Sequence, residues 1–452
     1  MSESAEDAVS GVEAVVALWA QLRVADRARY LDRAAQAVID EFDGLREEIA
    51  AEAGRPAVEV AAFELLAAID TLQWLARNAR ELLSAKPLLM PRAIHPLKRA
   101  SAGHSPLGVV AVIGAGSSPF AGLLARAGAA LLAGNGVVIK PAARSARAGE
   151  RVAGVLARAG LPEGIVRVIQ GDGRLGAELA GCAGVAHVSF SGSRRRGAQV
   201  AAAAAARGAS SSLDLAAGEA MIVLADASLD AAVAGATWAA CAGAGQLHGS
   251  LQRVYVEPEL HDAFAERFAA ACAGLTMGAP ADPATELGPL VSAERRALLE
   301  AAVADCVAGG ATLLARATPP AGELPFCAPS VLCGGAAALA PLREFVPGPV
   351  AGVSAVRDSV EAVALENEAA PGARGASIWS ADRRRAARIA RELRAPVVWC
   401  NDHLVGPLLP RDAADTVAAC VSPKLITWDP SGTRLPWRFP YDATSAGALR
   451  AL

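Results

Sequence analysis

The stretch best equipped for chemistry is Gly243-Ala-Gly-Gln-Leu-His-Gly-Ser-Leu-Gln-Arg253. It follows a helix-like run, Ala231 to Cys241, and leads into a strand-like run, Arg253 to Val256. A small, Gly-rich loop between two regular elements is a place where a reactive side chain is presented. The side chain here is the imidazole of His248. Imidazole exchanges a proton near neutral pH, so a carboxylate facing it would make a general acid–base pair. The nearest thiol, Cys241, stands seven residues earlier on the apolar helix-like run, where a Cys is normally a small core residue. The eight Cys are scattered, with no Cys-x-x-Cys pair. That pattern argues against a zinc site and a disulfide framework, and reduced thiols in a cytoplasmic protein are the expectation.

The elements that must position this loop come next. Residues 5 to 84 carry helical periodicity, with Val15, Leu18, Trp19 and Leu22 on one face. Asp26 is placed to cap a second helix bearing Leu31, Ala34, Ala35 and Val38. Glu52-Ala-Gly-Arg-Pro56 is a turn, and a further helical set runs from Val58 to Leu83. Pro106 to Ile113 is apolar and β-branched, as a buried strand is. Gly114-Ala-Gly-Ser-Ser-Pro119 and a helical run from Phe120 to Ala133 follow. Strand, Gly-rich turn and helix make the shape of a dinucleotide site, although the third Gly of that fingerprint is missing. A strand ends in Lys140; a helix from Ser145 to Ala159, a strand from Ile165 to Gln170 and another from Val185 to Phe190 continue the series. This alternation predicts a parallel, doubly wound sheet. From Met221 to about Val398 it continues as a second α/β unit.

In order and spacing these stretches resemble the aldehyde dehydrogenase superfamily over about residues 10 to 445. The nucleophile loop of that family reads Gly-Gln-x-Cys, then Arg and a strand. Gly245, Gln246, Leu247 and Arg253 match it, and His248 stands at the nucleophile position. Gly134-Asn-Gly-Val-Val-Ile-Lys-Pro141 matches closely, and the resemblance assigns Lys140 to the adenosine ribose of the cofactor. Phe190-Ser-Gly-Ser193 resembles Phe-Thr-Gly-Ser, where Gly192 and Ser193 would meet the pyrophosphate. The following Arg194, Arg195 and Arg196 read as a solvated first turn. Leu213-Asp-Leu-Ala-Ala217 takes the place of Leu-Glu-Leu-Gly-Gly, so Asp214 stands for the general base, with Glu219 a weaker substitute. Of Pro-Trp-Asn-Phe-Pro only Pro119 survives, and Ser117 stands for the Asn that stabilises the oxyanion. In Glu344-Phe-Val-Pro-Gly-Pro-Val350, Phe345 replaces the Glu that holds the nicotinamide ribose, and Pro347 replaces the Phe that packs there.

The fold implied is α/β, with two doubly wound parallel-sheet domains, one cofactor-type and one catalytic-type, plus a small β oligomerisation element. Residues 1–86 and 105–217 would form the helical region and the Rossmann-like domain. Residues 218–398 would form the catalytic-type domain, and residues 87–104 and 421–452 the oligomerisation strands and tail. NAD or NADP is the implied cofactor, bound weakly or not at all. A homo-oligomer, dimer or tetramer, is implied, with an active relative as a further partner.

Four positions of one reaction are altered together. Neutral imidazole cannot form the thioester that a thiolate forms. Losing an oxyanion donor costs about 10²–10³ in turnover. The expectation is a catalytically degenerate homologue with a binding or assembly role. The alternative is a repurposed or NAD(P)-dependent oxidoreductase acting on an aldehyde or carbonyl compound, with His248 and Asp214 in place of the Cys/Glu pair.

Bulk properties set the remaining bounds. The 452 residues are 53% hydrophobic and 20% charged, with net charge -3 and pI near 6.1. Nothing there attracts nucleic acid. Only Lys86, Lys98, Lys140 and Lys424 among the 43 basic residues are Lys, an Arg bias of the kind that high-GC coding produces. The N-terminus lacks a signal-peptide pattern, and the apolar runs are too short to span a bilayer. No metal site is expected.

Overall fold

The computed structural model describes residues 3–90, 98–369, 375–403, 410–429 and 439. Three sheets organise them. The smallest is antiparallel and joins distant parts of the chain, with β1 (Lys86–Leu88), β2 (Arg99–Pro106) and the last strand, β15 (Val421–Trp428), in the order β1-β2-β15. Pairing runs from Arg99↔Trp428 to Pro106↔Val421. β15 forms an edge of this sheet, and its Leu425, Ile426 and Trp428 are 56%, 54% and 46% exposed. Residues 91–97 and, after Asp429, every residue but Phe439 lie outside the described residues, and with them most of the expected oligomerisation tail.

The second sheet is wholly parallel. Its strands are β3 (Val109–Ile113), β4 (Gly136–Lys140), β5 (Val166–Val168), β6 (Val185–Gly192) and β7 (Ser210–Leu215), in the order β5-β4-β3-β6-β7. The chain steps outward from β3 in one direction, then returns to β3 and steps outward in the other, which is the doubly wound topology. The crevice between β3 and β6 is its switch point. β3 and β4 are buried along their whole length, as strands covered on both faces must be.

The helix Ala121–Ala133 after β3 is built from Ala and Leu and is buried almost throughout. Its first turn is capped from outside: the Phe120 and Ala121 N–H groups donate to Glu64 Oε2 at 3.0 and 2.8 Å. Arg55 holds the other Glu64 oxygen at 2.7 Å, so the capping charge is balanced within the core. The helix stops at Gly134, whose φ of +98° suits glycine. Asn135 then acts as a clamp. Its Oδ1 accepts from Leu107 N and Gly108 N, and its Nδ2 donates to the Ala130 and Cys420 carbonyls.

The third sheet has seven strands: β8 (Glu219–Val223), β9 (Leu251–Val256), β10 (Thr312–Arg316), β11 (Ser330–Cys333), β12 (Val350–Ala355), β13 (Gly375–Trp379) and β14 (Val397–Cys400). Their order is β10-β11-β12-β9-β8-β13-β14, parallel except for β10 at the edge. The architecture is α/β with two parallel-sheet units, as the alternation of elements predicts.

Local departures have physical reasons. Asp26 does not cap the second helix. That helix begins at Val24 after Arg23, and Asp26 lies in its first turn, paired with Arg23 at 2.8 Å and Arg29 at 2.7 Å. The strand expected over Ile165–Gln170 is paired only over Val166–Val168. Among the described residues no helix is long and apolar enough to cross a membrane. Among them, too, no group of three or more His, Cys, Asp or Glu could hold a metal ion.

Candidate active site

The turn after β3, the end of β7 and the loop before β9 converge. Ser117 lies in the turn, half-buried; Asp214 is on β7; His248 is in the loop and 8% exposed. Ser117 Oγ stands 3.0 Å from His248 Nδ1. On the far side of the ring, Nε2 is 3.8 Å from Asp214 Oδ2. That is ion-pair range, longer than a direct hydrogen bond. The ring thus bridges a hydroxyl and a carboxylate. If Nδ1 accepts the hydroxyl proton, the N–H is on Nε2 and points its positive end toward Asp214.

Asp214 has a second partner. Arg126 Nη2 donates to Asp214 Oδ2 at 2.5 Å, and the Ser191 hydroxyl reaches the same oxygen at 3.4 Å. The Arg126–Asp214 pair is largely buried, at 8% and 15% side-chain exposure. Arg126 projects from the helix Ala121–Ala133, so the Glu64 cap and the Asn135 clamp also fix the carboxylate's counter-ion. Removing one partner of a buried ion pair is costly, because the other charge stays behind without compensation.

The His248 loop is rigidly held. Gly243, Ala244 and Gly245 have φ values of 59°, 53° and 66°. Ala244 is not a glycine, so its left-handed conformation costs about 1 kcal/mol or more and must be imposed by its surroundings. Three partners impose it. Gly243 N–H donates to Glu59 Oε1 at 2.9 Å. Gly348 N–H donates to the Gly245 carbonyl at 3.0 Å. Gln246 Oε1 accepts from Val291 N at 3.0 Å. A Cβ on Gly245 would run into the Gly348 carbonyl, so this approach requires glycine. Burial pushes the Glu59 carboxyl up to about 7, against the opposing pull of the Gly243 N–H and Arg55.

Sequence reasoning did not single out Arg126, Glu59 or His403 as site residues. A charge within an apolar helical run was the available signal for Arg126. His403 is 1% exposed and stands between Ser377 Oγ at 2.9 Å and the Gly249 carbonyl at 2.9 Å. Glu219, the weaker substitute for Asp214 as base, has its Oε2 3.7 Å from His403 Nε2. Cys241 is buried with its Sγ 3.7 Å from Cys272 Sγ. That neighbour and burial raise its thiol pKa well above the ordinary value, so it is no thiolate.

The residues expected at a cofactor divide into two groups. Lys140 ends β4 and is buried, which lowers its ammonium pKa, while Asp172 nearby counters the shift. Gly192 ends β6, and Ser193 caps the helix Arg194–Ala205, its hydroxyl accepting from Arg196 N at 3.5 Å. A cation at a strand end and a capped helix N-terminus suit the adenosine diphosphate part of a dinucleotide. Phe345 is half-buried and offers no side-chain hydrogen bond to a ribose. Lys140, Gly192 and Ser193 fit one half of the cofactor, and Phe345 itself supplies no carboxylate for the other.

A model of the aldehyde dehydrogenase family matches residues 1–409. Betaine aldehyde dehydrogenase 2 of Rhizobium meliloti is 32% identical over 404 residues, covering 89% of this chain and 82% of that protein. Glutarate-semialdehyde dehydrogenase of Pseudomonas putida is 30% identical, covering 88% and 82%. Among solved structures, an NAD-dependent benzaldehyde dehydrogenase from Corynebacterium glutamicum superposes with a TM-score of 0.86 at 26% identity, covering 94% of this chain and 90% of that one. An NADP-dependent enzyme from E. coli gives the same values.

Proposed function

This chain belongs to the aldehyde dehydrogenase family, and from that premise we propose that it no longer oxidises aldehydes through a covalent thioester and serves a binding or assembly role. One observation carries the reading: His248, which the sequence resemblance aligns with the nucleophile, is hydrogen-bonded to Ser117, while the nearest thiol in the sequence is buried against Cys272. Phe345 in place of a ribose-binding carboxylate supports weak or absent binding of NAD or NADP. The exposed apolar edge of β15 supports association of copies, or of this chain with an active relative. The test is NADH or NADPH formation by the purified chain with short and aromatic aldehydes. No turnover above the uncatalysed rate is expected, and robust turnover overturns the reading.

A second reading is favoured by the line Ser117–His248–Asp214. In it the imidazole acts as an acid–base group on a carbonyl compound held in the old cleft. Both readings share the loss of the thioester route; they differ in whether His248 turns over a substrate.

A further inference from the structure

We propose that Ser117, His248 and Asp214 form a nucleophile, base and orienting carboxylate that hydrolyse activated carboxylic esters. The inference rests on the acid–base reading of His248. Its basis is order along a line: hydroxyl, imidazole, carboxylate, at 3.0 and 3.8 Å. This is the sequence of contacts that makes a serine nucleophilic, and it is recognised by geometry and role wherever it occurs. Here the two ring nitrogens are used in reverse, with Nδ1 facing the hydroxyl and Nε2 the carboxylate. The chemistry requires only that one nitrogen accept while the other carries the proton.

The setting of Ser117 suits the role. It stands in a tight turn between a buried strand, β3, and the helix Ala121–Ala133, the kind of strand-to-helix turn that presents a nucleophile. It is half-buried rather than sealed in the core. Its base sits on a loop held by Glu59, Gly348 and Val291, and Arg126 anchors the carboxylate.

Leaving-group chemistry sets the substrate class. A serine oxygen added to an aldehyde gives a hemiacetal, which without hydride transfer can only revert. An ester has a bond that can break. Ser117 Oγ attacks the carbonyl carbon as its proton passes to His248 Nδ1, leaving an imidazolium beside Asp214. The tetrahedral adduct collapses, the C–O bond to the leaving alcohol breaks, and that oxygen takes the proton from His248. Water then adds to the acyl-Ser117 carbonyl, giving a proton to His248. Collapse releases the carboxylic acid, and the Ser117 oxygen recovers the proton. The sum is ester plus water to acid plus alcohol, with no redox change. The 3.8 Å gap on the carboxylate side favours esters with good leaving groups over amides.

The experiment follows hydrolysis of p-nitrophenyl acetate by the full chain, with an acid-quenched sample mapped by peptide mass spectrometry. Wild type is expected to exceed the buffer rate and to carry the acetyl group on Ser117. Ser117→Ala and His248→Gln should each lower kcat/KM by about 10² or more. Cys400→Ser, which removes the exposed thiol, should leave the rate unchanged. Absence of hydrolysis by folded wild type, undiminished hydrolysis by Ser117→Ala, or an acetyl group on another residue overturns the proposal. If Ser117→Ala does not fold, the wild-type adduct map decides. Nicotinamide reduction is measured in parallel. Failure of hydrolysis with no reduction overturns this inference alone, whereas reduction with aldehydes overturns the loss of oxidation.

Discussion

The Nε2 of His403 lies 2.9 Å from the carbonyl oxygen of Gly249, the residue after His248. A carbonyl only accepts, so the ring donates from Nε2, and Nδ1 takes the proton of Ser377 Oγ at 2.9 Å. The contact ties the segment after β14 to the loop that carries the candidate base. Trp399 packs on the same ring, with centroids 5.2 Å apart.

We predict that this tie makes the protein acid-sensitive. Burial pulls the His403 pKa down to about 4, from an ordinary value of 6.5. Between those values the unfolded chain binds the proton and the folded chain does not. Stability is therefore full above about 6.5 and falls as pH drops toward 4. His187, also pulled down to about 4 by burial, adds in the same direction. Urea melts from pH 8 to pH 4 should show the loss, and His403→Gln should flatten part of it. A wild type equally stable at pH 4.5 and 7 would refute this.

Glu59 works with the opposite sign. Its folded value is raised to about 7 from about 4.5, so its contribution is fullest below 4.5 and is lost as pH rises through 7. The loss is up to about 3 kcal/mol. Glu59→Gln keeps an acceptor for the Gly243 N–H and cannot ionise. We expect the variant to lose less stability than wild type between pH 5 and 8. An identical pH dependence would place the ionisation elsewhere.

Restoring the thiol should not restore oxidation. His248→Cys leaves Ser117, Asp214 and Phe345 in place, and groups that act as a unit are strongly non-additive. The single variant is expected to form no NADH above background with an aldehyde panel. The fourfold variant with Ser117→Asn, Asp214→Glu and Phe345→Glu should give at most a trace. Robust turnover by the single variant would show the reading of Phe345 to be wrong.

Calorimetry addresses the cofactor. Lys140, Gly192 and Ser193 favour the adenosine diphosphate part, and Phe345 removes a partner for the nicotinamide ribose. A lost charge-assisted hydrogen bond is worth about 1.5–3 kcal/mol. ADP-ribose should therefore bind no worse than NAD. Binding of NAD tenfold tighter than ADP-ribose contradicts this.

The edge of β15 predicts association. Leu425 and Ile426 are neighbours on one strand and so point to opposite faces, yet both are more than half exposed. Light scattering at micromolar concentration should find a dimer or larger, and Leu425→Lys with Ile426→Lys should shift it toward monomer. A monomeric wild type would remove the assembly role.

The sheets were legible because parallel strands covered on both faces must be apolar: Val109–Ile113 and Gly136–Lys140 announce themselves. The convergence of Ser117 and His248, 131 residues apart, was legible only through resemblance. Local pattern holds no record of which strand ends meet. Arg126 was hidden for a different reason. On an Ala/Leu helix a single Arg reads as a solvent-facing interruption, and only the position of Asp214 on β7 turns it inward. The pairing of Glu219 with His403 rather than His248 was likewise set by the order of β8, β13 and β14 in the sheet, which the sequence does not spell out.

The pairing of β2 with β15 makes synthesis order matter. Strand β15, which pairs with β2, and the carbonyl of Cys420 that Asn135 binds both lie in the late stretch 410–429. At ~5–20 residues per second, the ribosome delivers β15 roughly 10–40 s after β7. Through that interval β2 has an open edge on the β15 side. Neighbouring nascent copies on one message can offer it a strand, so self-closure and chain exchange compete for one edge before the molecule is complete.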